Sequence, residues 1–84
     1  MAKTSMKQRV TNISQIARIL MARRKALKLS QHALAEKLGI AQATLSQIEG
    51  GIIPLSVQRL LEIANVLNLE LVMQNKQRSP ETDW

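Results

Sequence analysis

Residues 29–51, "LSQHALAEKLGIAQATLSQIEGG", hold two short amphipathic stretches separated by three residues, the first of them glycine. In "QHALAEKL" (31–38) Leu34 and Leu38 recur at helical spacing, with Ser30 in front as an N-cap. Gly39 follows the last periodic residue, where a helix end favours a residue that tolerates φ > 0. A second stretch, "QATLSQIE" (42–49), runs into Gly50 and Gly51. Two short helices joined by a tight glycine turn make a helix-turn-helix. The register sends Leu34, Leu38, Ile40, Leu45 and Ile48 inward and puts Ala35 where the helices cross, so a larger side chain there would force them apart. Gln42, Ala43, Ser46 and Gln47 are left facing outward. These residue types suit base edges: Gln pairs with adenine N6 and N7, Ser donates or accepts, and an Ala methyl packs on thymine.

Working outward, Ile13, Ile16, Ala17, Leu20 and Leu27 keep helical spacing, which predicts a helix capped by Asn12 or Ser14 and ending near Lys28. Past the loop "GGIIPL", Ser56 caps a fourth helix, "VQRLLEIANVL", predicted to bury Leu60, Leu61, Ile63, Ala64 and Leu67. The period then changes. "LELVMQ" (69–74) alternates in the manner of a strand and includes Leu69, Leu71, Val72 and Met73. With no other strand to pair with, it fits pairing with the same segment of a second copy; a fifth short helix packed in the same chain is the alternative. Residues 1–11 read as a basic arm, 12–75 as the folded domain, and 76–84 as a polar tail disordered in isolation.

Charge points to the partner. Of twelve Lys and Arg, eight fall within residues 3–28, where there is no Asp or Glu; the other four face six acidic residues. A one-sided basic field is the footprint of a polyanion binder, a nucleic acid or an anionic membrane, although a solvated helix face is the plainer reading. In 84 residues without Cys, no disulfide or thiolate metal site is possible, and oligomerisation is the remaining route to added stability. No apolar run is long enough for a membrane span and no secretory h-region is present, so a soluble, cytoplasmic protein is expected. His32 stands alone, the carboxylates are scattered, and no glycine-rich phosphate loop follows a strand. We therefore expect no metal, no cofactor, no catalytic residues and no enzymatic activity.

The stretch quoted above resembles the Xre/Cro-type helix-turn-helix repressors, and the likeness runs from about Ile16 to Leu67. The resemblance implies a mainly α, four-helix, lambda-repressor-like DNA-binding domain whose third helix enters the major groove. It implies base contacts by Gln42, Ala43, Ser46 and Gln47. Gln31 would contact the phosphate backbone and brace Gln42. Ser30, Lys28, Arg23, Lys25 and Thr44 are the other backbone contacts it implies. Arg24 and Glu49 match a structural ion pair tying the first helix to the end of the third. Two departures stand out: Ala41 replaces the usual Ser, Thr or Lys, and "GGIIPLS" lacks the Asn, Lys or Arg that relatives aim at phosphates.

The end of the chain is similar to the HipB antitoxins: one repressor domain, a strand "LNLELVM", then a polar tail closing on Asp83 and Trp84. Trp84 is the only aromatic residue in the sequence. That resemblance implies a bacterial, nucleoid-associated homodimer with the strand paired between protomers, bound to a palindromic double-stranded operator. It also implies an antitoxin that autoregulates its operon and docks Trp84 on a HipA-type kinase toxin. Alternatives remain at this point: a stand-alone Xre-type repressor with an idle tail, a module that binds only protein, and an indole that folds back on its own domain or is incidental.

Overall fold

Asn12 starts the first helix by a reciprocal cap: its Oδ1 accepts from the Gln15 amide at 3.0 Å, and Gln15 Oε1 accepts from the Asn12 amide at 3.2 Å. The computed structural model describes residues 7–76. Lys3 and the rest of the arm up to residue 6, and residues 77–84 with Asp83 and Trp84, lie outside the described residues. Within them, four helices follow in order: α1 (Ile13–Ala26), α2 (Gln31–Leu38), α3 (Gln42–Glu49) and α4 (Val57–Val66). Ser30 Oγ accepts from Ala33 N, and Ser56 Oγ accepts from Arg59 N, each at 3.0 Å, as the sequence predicts. Ala41 offers α3 no side-chain cap.

The four helices end alike. Lys28, Gly39, Gly51 and Asn68 each adopt positive φ. The next residue in each case donates its amide back into the helix: Leu29 to the Arg24 carbonyl, Ile40 to Ala35, Ile52 to Gln47, and Leu69 to Ala64. This is the Schellman closure, which satisfies carbonyls that the helix leaves free and reverses the chain. Leu29, Ile40 and Leu69 then turn inward onto the core, and only Ile52 stays exposed. The sequence reading identified the turn at Gly39; Lys28 and Asn68 carry the same conformation without being glycine.

Leu20, Leu34, Ala35, Leu45, Ile48, Leu60, Ile63 and Leu67 form the core, so every helix or its cap contributes. α2 packs on α3 and α4, and α1 packs on α3. One residue predicted to be buried is exposed: Leu61 is rotated one position off the stripe of Leu60, Ile63 and Ala64. Ile13, in the first turn of α1, and Leu27, which caps its end, are exposed as well. Leu38 and Ile40 are half-buried at the edge.

Residues 69–76 form no helix, which rules out a fifth short helix there. Nor do they meet a ladder partner in the single chain; the pairing expected from the sequence is between two copies. Leu69 tucks against the core, whereas Leu71, Val72 and Met73 are exposed, Met73 almost completely.

Truncating the fully buried Leu34 to Ala should lower unfolding free energy by about 2–5 kcal/mol. Gly39→Ala should cost about 1–2 kcal/mol through backbone strain alone, since a Cβ there meets no atom within 4 Å. Urea denaturation of both variants checks the two values.

Candidate nucleic-acid interface

α3 divides cleanly into two faces. Leu45, Ile48 and Glu49 are buried, while Gln42, Ala43, Ser46 and Gln47 are all exposed; Thr44 lies between the two sets. The exposed four follow the i, i+1, i+4, i+5 pattern, so they form one continuous strip along the helix. The strip carries hydrogen-bonding amides and a hydroxyl but no charge. Such a surface can discriminate among base edges without binding every polyanion alike.

What holds the strip in place lies beneath it. Arg24, on α1, and Glu49, the last residue of α3, are each only 7% exposed. Arg24 Nε donates to Glu49 Oε2 at 2.7 Å and Nη2 donates to Oε1 at 3.0 Å. Nη1 donates to the Leu29 carbonyl at 2.8 Å, so each nitrogen of the guanidinium is engaged. This fork-to-fork geometry fixes orientation as well as distance. The ion pair implied by the resemblance is therefore present, and it reaches further than implied, into the turn between α1 and α2.

Gln31 departs from expectation. Its Nε2 donates to Glu49 Oε1 at 2.9 Å, rather than bracing Gln42. Both residues stand at the start of their helices, but the buried carboxylate at the far end of α3 is the stronger acceptor. Arg23 also has a structural role: it is half-buried, and its Nε donates to the Leu67 carbonyl at the end of α4, 2.9 Å away. That bond spans 44 positions of sequence. Local pattern gives no sign of it. Ser30, Lys25 and Lys28 remain exposed around the α1–α2 turn, with Lys7, Arg9 and Arg18 exposed along the arm and α1. His32 is exposed as well.

On α4, Val57 and Leu61 combine with Leu69 and Leu71 to line a shallow groove, bordered by Gln58, Glu62, Asn65 and Glu70. Among the described residues no helix is long and apolar enough to cross a membrane.

Comparison with known proteins accords with this geometry. The HTH_3 helix-turn-helix family model matches residues 20–73. An uncharacterised HTH-type transcriptional regulator of Sinorhizobium fredii (strain NBRC 101917 / NGR234), y4dL, is 37% identical over 65 residues, covering 77% of this chain. The chain spans about a third (33%) of that relative's length. Among solved structures, HipB in complex with an O2 20mer superposes with a TM-score of 0.76 at 25% identity, over 86% of this chain and 100% of that one. A chain of the HipA–HipB–O2–O3 complex gives 0.75 at 25% identity, over 84% and 100%.

Arg24→Met should destabilise the fold by about 3–5 kcal/mol, because it strands the Glu49 carboxylate in a dry site. Adding Glu49→Leu to that variant should recover most of the loss. Chemical denaturation of the two single variants and the double variant measures the coupling.

Proposed function

The chain belongs to the HTH_3 helix-turn-helix family, and from that premise we propose that it is a homodimeric, sequence-specific repressor acting as the antitoxin of a HipA-type kinase toxin and autoregulating its operon. The observation that carries the DNA-reading part is the exposed Gln42–Ala43–Ser46–Gln47 strip, uncharged and held from below by a buried ion pair. Gln42, Ala43, Ser46 and Gln47 read bases in the major groove. Ser30, Gln31, Lys25, Lys28 and Thr44 approach the phosphates. Arg23 contributes mainly by joining α1 to the end of α4. Each phosphate neutralised adds about 0.9 to the slope of log affinity against log salt.

Exposed apolar surface supports dimerisation: Leu71 lines the groove with Val57 and Leu61, and Val72 and Met73, next along the chain, are exposed. A two-fold partner covers this surface by pairing residues 69–74 with their own copy. The two recognition helices then lie about 34 Å apart, one DNA turn, and require a palindromic operator. In this reading residues 1–11 are a basic arm, 12–75 the DNA-binding and dimerisation unit, and 76–84 a tether ending in Asp83 and Trp84.

The toxin partner is supported by likeness to chains solved as a HipB–O2 20mer complex and a HipA–HipB–O2–O3 complex. It is supported also by the single indole of the sequence, placed after a polar stretch. A flat ring buried in a partner's pocket anchors an interface while the domain stays on DNA.

Two experiments test the proposal. In gel shifts against the DNA upstream of its own gene, Gln42→Ala with Ser46→Ala should weaken binding by about 10-fold or more; binding equal to wild type refutes base readout by α3. Deleting residues 76–84 should abolish capture of the kinase encoded beside it, while operator affinity stays within about twofold. If capture persists, the tail is not the docking element; if no kinase binds the full chain, the stand-alone repressor is the better reading.

A further inference from the structure

Glu49 sits where a negative charge is least favoured. It is the last residue of α3, at the negative end of the helix dipole, and it is buried. Two hydrogen bonds from Arg24 offset this, and a third comes from Gln31 Nε2 at 2.9 Å. Gln31 is the first residue of α2 and is half-buried. Its side chain therefore joins the entry of α2 directly to the far end of α3. A carboxylate only accepts, so the amide nitrogen must face Glu49 and the Gln31 carbonyl oxygen must turn away. One amide hydrogen is committed to Glu49. The other is left for an outside acceptor.

We infer that Gln31 is a positioning residue for sequence readout, acting through Glu49. Its bond to Glu49 sets α3 against α2. A phosphate oxygen accepting from the remaining hydrogen is then tied, through one nitrogen, to the carboxylate that anchors the reading helix. The coupling enters α3 at its C-terminal end and does not pass through Gln42. This inference rests on the proposed DNA-reading role of α3, and adds a distinct route by which a backbone contact affects specificity.

Gln31→Met keeps the length of the side chain and removes its donors. Affinity is measured for two probes: a duplex enriched by the wild-type chain from a random-sequence pool, and the unselected pool. The expected result is a loss on the enriched duplex about tenfold greater than the loss on the pool, which records the phosphate contact alone. An equal loss on both probes makes Gln31 a phosphate contact only and overturns the inference. The same factor should be lost when Gln31→Met is introduced into a Gln42→Ala background; a loss that vanishes there routes the effect through Gln42 and also overturns it. In the DNA-free chain, amide hydrogen exchange around Ile48 and Glu49 should speed up in Gln31→Met while exchange in the middle of α1 is unchanged. Unaltered exchange in α3 contradicts the inference. If the wild-type chain enriches no duplex, the DNA-reading proposal fails, and the exchange measurement still decides whether Gln31 holds α3.

Discussion

The bidentate bond between Arg24 and Glu49 is the constraint on which the placement of α3 depends. The core around it contains only aliphatic side chains, and the sequence has no Phe or Tyr. Hydrophobic burial is strong but non-directional, so packing among Leu, Ile and Ala leaves a short helix some freedom to slide or rotate. A guanidinium fork against a carboxylate removes that freedom, because both bonds are satisfied in only one orientation. Burying two charges costs about as much desolvation as their attraction returns, so the pair contributes more to geometry than to net stability.

The same economy governs the connections. All four helices close through a residue at positive φ followed by an amide that bonds back into the helix. Three of these closures fold a hydrophobic residue onto the core, so each turn ends one helix and anchors the start of the next segment. α2 and α3, at eight residues each, are too short to be stable alone in water. Their persistence depends on Ser30, Gly39 and the packing of Leu34, Ala35 and Leu45, so the reading surface depends on the whole domain.

Two surfaces of opposite chemistry result. Along α3 the exposed groups are amides, a hydroxyl and a methyl, with Lys25 and Lys28 set apart on the α1–α2 turn. At α4 and the segment after it, apolar side chains are exposed and unpaired in the single chain. In the proposed reading the division separates discrimination from general attraction, with neutral donors and acceptors for base edges and cations for phosphates. In the proposed dimer the apolar surface is what a second copy covers.

Periodicity and punctuation alone fixed much of this protein. The four helices, the caps at Asn12, Ser30 and Ser56, the turn at Gly39 and the outward strip of α3 are all local consequences of residue order, legible because caps and amphipathic faces act within a few residues. Pattern misplaced Leu61, since burial beside a stripe depends on what packs above it. Only the tertiary structure turned Gln31 from Gln42 toward Glu49, and only it gave Arg23 to the Leu67 carbonyl. Those choices join residues 18 and 44 positions apart. Gln31 and Arg23 met these acceptors only once the helices had packed, and reach is a property of the fold.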